Sequence, residues 1–242
     1  MHRAAFIMLV LAAGPSGYQR VKTFEVQKLT GLESPARVWV EAAGEDFLET
    51  HNPLKPCRLC VQPIGAPSTQ TICFSALADS TYGVREFFLD PHAEVMDIST
   101  DSSGRNAVFF AARQNFGGSG SSNLLTLLVF SPGQKTLDSL LPPILLAEQS
   151  EYRFWIDREA SPYKLLTVAD FVWGHGEAHP GEHRYRLRTY AYSPAARRYA
   201  QIDEYVTAKK YLVDDSWGEL KVLPAEDSAL RARLKKAAPQ PR

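Results

Sequence analysis

From Val84 onward the apolar residues come in short runs rather than at helical spacing. Val84 to Leu89, Ala107 to Ala112 and Leu124 to Phe130 are apolar and aromatic stretches split by clusters of Gly, Ser, Pro and Asp, the punctuation of strands and turns. His183 to Tyr192 (HRYRLRTYAY) alternates, setting His183, Tyr185, Leu187, Thr189 and Ala191 on one face and Arg184, Arg186, Arg188, Tyr190 and Tyr192 on the other. A period of two is a strand. Ala225 to Lys236 instead carries Leu230 and Leu234 on one helical face and predicts a short C-terminal helix. The expected fold class is mainly β.

Two segments share an order of features. Asp97 to Pro132 and Asp157 to Pro194 each run from an Asp-rich turn through an apolar strand, a Gly-rich loop and a second strand to Ser-Pro. Asp97 and Asp157 stand 60 residues apart, and Ser131-Pro132 and Ser193-Pro194 stand 62 apart. A weaker echo begins at Asp214. A period of about 60 residues with about four strands is the size of a propeller blade, and one such unit cannot bury both faces alone. Repeated antiparallel sheets stacked face to face are therefore expected, either propeller-like or as a sandwich. The implied division is 1–17 a signal peptide, 18–80 an N-terminal β region with a cysteine hairpin, 81–224 the duplicated β-repeat region, and 225–242 a short helix and tail.

The turn Asp97-x-Ser99-x-Asp101-x-Ser103-Gly104, followed by Ala107-Val108-Phe109-Phe110, resembles a degenerate form of the D-x-N-x-D-G turn and strand of FG-GAP or VCBS-like β-propeller repeats. The resemblance covers residues 80 to 222 and implies a β-propeller repeat protein, in which such turns often hold calcium. The turn here carries an extra residue before its Gly, and the second copy, Asp157-x-Glu159-x-Ser161, has Pro162 where Gly is wanted. Two carboxylates and two hydroxyls supply few of the roughly 6 to 8 oxygens that Ca²⁺ takes, so a metal-free turn is the favoured reading.

The N-terminus reads Met1-His2-Arg3, then the apolar run Ala4 to Ala13, then Gly14-Pro15-Ser16-Gly17. A basic tip, an apolar stretch and small residues are the layout of a signal peptide, with cleavage expected between Ala13 and Gly17. The run is too short for a helical membrane span, which needs ~20 residues, and no Cys follows it to accept a lipid. A periplasmic or secreted product without a membrane span is expected; the ordinary alternative is a buried N-terminal strand of a cytosolic protein. Cys57, Cys60 and Cys73 form C-x2-C-x12-C. Val61-Gln62 and Gln70-Thr71-Ile72 flank a Pro/Gly turn, so Cys60 and Cys73 close a candidate hairpin and are the preferred disulfide. Cys57 to Cys73 is the rival pairing, and zinc held by the three thiols with His51 is a further reading that an oxidising compartment disfavours.

Of 242 residues 45% are hydrophobic and 22% charged, which fits a folded globular chain. Lys plus Arg (27) cancels Asp plus Glu (27), so no global positive field gathers nucleic acid, and a nucleic-acid partner is not expected. Arg231, Arg233, Lys235 and Lys236 read as a solvated helix face.

The sharpest chemical constellation is Trp173 to His183, which holds three of the six His. His175, His179 and His183, with Glu177 or Glu182, are the ligand types of a zinc or copper site. A zincin helix is excluded by Gly174, Gly176, Pro180 and Gly181, and a plain surface loop is the ordinary reading. Arg184, Arg186, Arg188 and Tyr190 are candidate contacts for an acidic protein or a glycan, although Arg stems covering rings on a sheet are commoner. Gly117 to Ser121 matches neither G-x-S-x-G nor a P-loop. No catalytic constellation stands out. The leading expectation is an exported β-repeat binding or structural module of the cell envelope that uses the loops at Asn115 to Asn123 and Gly174 to Glu182. A metal-dependent enzyme centred on His175, His179 and His183 is the alternative, and a periplasmic inhibitor or chaperone partner is a weaker third.

Overall fold

The computed structural model describes residues 18–43, 57–75, 88–98, 105–117, 120–131, 133–147, 149–178, 181–212 and 221–237. The expected signal peptide, the Asp101 turn, His51, His179 and the echo at Asp214 lie outside them.

Three antiparallel meanders follow one another along the chain, as the mainly β patterning requires. The first sheet runs β1 (Tyr18–Val26), β2 (Ala36–Ala43), β3 (Arg58–Pro63), β4 (Ile72–Ser75), in that spatial order. The second runs β5 (Phe88–Asp97), β6 (Asn106–Gly117), β7 (Gly120–Ser131), β8 (Thr136–Ala147), again consecutively. The third runs β9 (Glu151–Trp155), β10 (Leu165–Val172), β11 (Glu182–Ser193), β12 (Arg198–Val206), and the two-residue β13 (Tyr211–Leu212) joins β11 at Glu182 and His183. A helix, α1 (Val222–Ala237), ends the described chain.

The duplicated segments fall on equivalent parts of the second and third sheets. Asp97 ends β5 and Asp157 stands just past β9; Ser131 ends β7 and Ser193 ends β11, and both of these strands are 12 residues long. The 18–80 region, expected only as a β region with a cysteine hairpin, holds a further meander of the same order.

The sheets stack. One core joins Val26, Val38, Val40, Leu59 and Val61 of the first sheet to Val108, Phe110, Ala112, Leu124 and Leu128 of the second. The next joins Ala107, Phe109, Leu125, Leu127 and Val129 of the second to Leu166, Val168 and Tyr199 of the third. With a neighbour on each face, β6 and β7 bury successive residues, which is why they read as apolar runs rather than as alternation. Thr126 interrupts the run; its hydroxyl donates to the Leu141 carbonyl at 2.7 Å, so the buried oxygen is satisfied. Pro142 and Pro143 are tolerated because β8 is an edge strand.

The first two sheets are also fastened through backbone. The loop between β1 and β2 lies against β6 and β7: Thr30 N–H donates to Asn106 O (2.8 Å), Asn106 N–H to Lys28 O (3.1 Å) and Phe130 N–H to Thr30 O (3.0 Å). Gly31 makes this approach possible. Its φ is +91°, and a Cβ there would sit 1.7 Å from the Phe130 carbonyl oxygen, so any side chain is excluded both by conformation and by space.

The third sheet turns its other face to α1, where Phe171, Tyr185 and Leu187 pack on Val222, Leu223 and Leu230, and Trp155 and Leu165 on Leu234. The helix carries Leu230 and Leu234 inward as expected and starts three residues earlier, at Val222, with Pro224 in the first turn, where no intrahelical donor is lost. The Glu151 carboxylate accepts the Leu223 N–H at 2.9 Å and so satisfies one of the open donors of that end. The basic residues form the exposed face expected of them, and three of them are also paired there: Arg233 forks onto Asp203 at 2.7 and 2.8 Å, Arg231 bonds Asp227 (2.8 Å) and Asp157 (3.3 Å), and Lys235 meets Glu159 at 3.1 Å.

Candidate functional site

The alternation read from His183 to Tyr192 is observed: His183, Tyr185, Leu187, Thr189 and Ala191 are buried, while Arg184 and Arg186 are exposed. The polar face of β11 is not uniform along its length. Arg188 is mostly covered and lies 3.6 Å from Asp170, Tyr190 packs against the core shared with the second sheet, and only the Arg184–Arg186 end projects into solvent. Asp170 accepts the Ala147 N–H at 3.0 Å, and burial raises its pKa against the pull of that bond and of the arginines.

At that exposed end residues 173–178, which follow β10, have a defined internal structure. Glu177 turns back into it, and its carboxylate accepts the Gly174 N–H (2.8 Å), pairs with His183 Nδ1 (3.0 Å) and meets Lys210 Nζ (2.7 Å). The Lys210 ammonium, then the Gly174 amide and His183, hold its pKa down at about 2. A Cβ on Gly174 would lie 2.6 Å from the Glu177 carboxyl carbon, so glycine leaves room for the carboxylate.

His183 is 0% exposed, and the rings of Phe171 and Trp173 stand edge-on to it at 5.0 and 5.4 Å. Trp173 is fixed on one side by Phe171 (4.9 Å) and His183, yet it is 55% exposed. Val206, whose strand pairs with Arg186, and Leu212, which pairs with Glu182, lie at the same end and are 44% and 67% exposed. Val206 and Leu212 thus share the face of Arg184 and Arg186, whereas Trp173, packed on Phe171 and His183, lies on the opposite, α1 side of the sheet.

Of the three histidines expected as metal ligands, His183 is buried against Glu177 and His175 is exposed in the turn. Among the described residues no three His, Cys, Asp or Glu side chains converge as a metal requires. In the turn equivalent to the calcium-type motif, the Asp157 carboxylate accepts the N–H groups of Glu159 (3.1 Å) and Ala160 (3.3 Å) and pairs with Arg231, and Glu159 pairs with Lys235. A cleft of about 380 Å³ lies between this turn and α1; of its charged lining residues Asp157 pairs with Arg231 and Glu159 with Lys235, while Arg158 donates to the Pro162 carbonyl.

On the outer face of the first sheet, Cys60 and Cys73 are directly opposed on β3 and β4 and form the expected disulfide. Cys57 belongs to the core facing the second sheet, so neither the rival pairing nor a three-thiol zinc site is assembled. Beside the disulfide, Glu41 accepts the Trp39 Nε1–H and Arg58 Nε–H, both at 2.6 Å, and the Arg20 guanidinium lies 4.4 Å above Trp39. These are side chains satisfied by their neighbours. The aromatic end of the third sheet is the candidate site that sequence reasoning found only in part: it offered Arg184 and Arg186 as contacts but took Trp173 only as the start of the His-rich segment, because an exposed Trp carries no spacing signature.

No family model, no curated protein and no solved structure matches this chain. Among the described residues no helix is long and apolar enough to cross a membrane.

Proposed function

We propose that this protein is an exported, propeller-like β-repeat module that recognises a partner in the cell envelope through the β10–β11 end of its third sheet. The observation that carries the reading is Trp173, a ring backed by Phe171 and His183 while more than half of its surface faces solvent. Exposed aromatic residues that lose little freedom on contact are the usual anchors of recognition surfaces. On the other face of the same sheet end Arg184 is exposed and Arg186 lies 3.6 Å from Glu204, and these forked donors suit a carboxylate-bearing glycan or an acidic protein segment that wraps around the end of the sheet. The Cys60–Cys73 disulfide supports an oxidising compartment, and the three consecutive four-strand meanders support the propeller-like reading.

The test has two arms. Intact mass and cell fractionation of the expressed full-length chain should give a mature start between residues 14 and 18 in the periplasm or medium; an uncleaved cytosolic product would contradict export. Titration of that product with uronate-containing oligosaccharides and with poly-glutamate peptides, followed by intrinsic fluorescence, should show saturable binding that Trp173→Ala and Arg184→Ala each weaken at least about tenfold. Binding unchanged by both substitutions, or absent for both probe classes, would contradict the assignment of this surface.

A further inference from the structure

The two ends of the Cys60–Cys73 bridge stand in different surroundings. Cys60 is 0% exposed, whereas Cys73 is exposed on β4, the edge strand of the first sheet among the described residues. Behind the buried sulfur is a buried carboxylate: Glu41 Oε2 lies 4.0 Å from Cys60 Sγ, and Glu41 is 7% exposed. Trp39 Nε1 and Arg58 Nε aim that carboxylate through hydrogen bonds of 2.6 Å, the Arg20 guanidinium lies 3.8 Å from it, and Arg58 in turn rests on the Tyr18 ring. A bridged sulfur carries no proton, so Glu41 and Cys60 share no hydrogen bond while the disulfide is closed. Opening the disulfide gives Cys60 an S–H with this carboxylate as its acceptor. Cys57 belongs to the core on the opposite face, which leaves Cys73 as the partner of Cys60.

We propose that Cys60–Cys73 is a thiol–disulfide exchange site, entered by a small thiol at Cys73, with Glu41 exchanging the Cys60 proton. The incoming thiolate bonds to Cys73 Sγ, the Cys60–Cys73 bond breaks, and its electron pair leaves on Cys60 Sγ, which takes up a proton. A second thiolate attacks the small-thiol sulfur of the mixed disulfide, and Cys73 leaves and is protonated. Two small thiols are thereby oxidised to one disulfide, the bridge is reduced to two cysteine thiols, and the protons of the former pass to the latter. In the reverse direction Cys60 gives its proton to Glu41 as its sulfur attacks Cys73 and expels the small thiol. The thiolate is the attacking form, so a base beside Cys60 acts on this closing step. The β3–β4 ladder holds the two Cα atoms 4.0 Å apart, so the parted sulfurs stay opposed and closing is intramolecular.

Glutathione, reduced and oxidised, is the probe, and the full-length chain under native conditions is the sample. Intact mass should show the bridge opening at least about tenfold faster than the oxidised protein unfolds, the unfolding rate being extrapolated from urea. Peptide mapping should place the mixed disulfide on Cys73, where Cys60→Ser traps it. Reclosure of the reduced protein by oxidised glutathione should be at least about tenfold slower at neutral pH in Glu41→Gln and should rise more steeply with pH than in wild type. Opening only at the unfolding rate overturns the proposal, as does glutathione found first on Cys60. So does a Glu41→Gln variant that recloses as fast as wild type with the same pH slope, an outcome that a merely structural carboxylate predicts. If circular dichroism shows that Glu41→Gln does not fold, Glu41→Asp, which draws the carboxylate back from Cys60, is read for the same slowing.

Discussion

The first and third sheets lie at opposite ends of one stack and are fastened by different chemistry. The first is joined to its neighbour by backbone hydrogen bonds from the 28–30 loop and is stapled within itself by Cys60–Cys73. The third is closed by α1, held by four aliphatic side chains and a ring of ionisable ones. Peptide groups do not titrate in the physiological range and are screened little by salt. Carboxylates and phenols titrate, and the pairs that carboxylates make with guanidinium groups are weakened by salt. The comparison teaches where pH and salt should act: the α1 end is expected to be conditionally stable and the junction of the first two sheets is not, although both bury the same kind of apolar surface.

The sharpest way to break the comparison is at Gly31. Gly31→Ala meets the Phe130 carbonyl and a left-handed backbone together, and it is expected to cost at least about 3 kcal/mol or to prevent folding. A urea midpoint close to wild type would mean that the loop does not join the sheets. Removing the disulfide with Cys60→Ser and Cys73→Ser frees a loop with a sequence separation of 13, and the expected loss is about 3 kcal/mol in chemical denaturation. Leu230→Ala leaves a cavity under α1 and should cost about 2 to 4 kcal/mol, measurable as faster exchange confined to α1 and the third sheet. Arg233→Ala removes a forked but partly exposed pair with Asp203; about 0.5 to 1 kcal/mol is expected, and the difference from wild type should shrink as salt is added.

The pH dependence follows from the same groups. Glu177 and Asp227 have folded pKa values below their ordinary range, Glu177 through Lys210, Gly174 and His183, and Asp227 through Arg231 and Arg153. Their contributions are complete above the unfolded carboxylate range and are lost as pH falls through the folded values, which for Glu177 means towards about pH 2. Tyr205 and Tyr211 are shifted the other way, first by burial and then by Glu226, with which both phenols are hydrogen-bonded. Raised pKa values make their contribution complete below the ordinary phenol pKa of 10 and lost as pH rises beyond it. The α1 end should therefore loosen at both extremes, while the 28–30 loop stays bonded.

Much of this architecture was legible in the residues. The alternation across His183 to Tyr192 gave the correct buried face, since β11 lies between a helix and another sheet and only one parity fits each side. The Asp-to-Ser-Pro repeat marked equivalent strands, because turn residues at matching offsets pin matching hairpins. The first meander escaped notice as a repeat: among the described residues its turns are the 27–35 loop, where Ser34-Pro35 precedes the second strand instead of closing the third, and the Pro63–Pro67 stretch, and neither holds an Asp. Pairing of the helix cations was also invisible, because Arg231 and Arg233 find Asp157 and Asp203 at sequence separations of 74 and 30. Likewise Glu177 reaches Lys210, which only the return of the chain through β12 brings back to the loop.

Native-state hydrogen exchange resolved at single amides tests the contrast between the two ends most directly. Protection of Asn106, Thr30 and Phe130, whose N–H groups form the loop junction, is compared with that of Leu223 and Ala225 at the start of α1, first at neutral pH and then near about pH 3. The expected result is that Leu223 and Ala225 lose protection on acidification while the three junction amides keep theirs. Loss of both sets together, or of the junction first, would contradict the account.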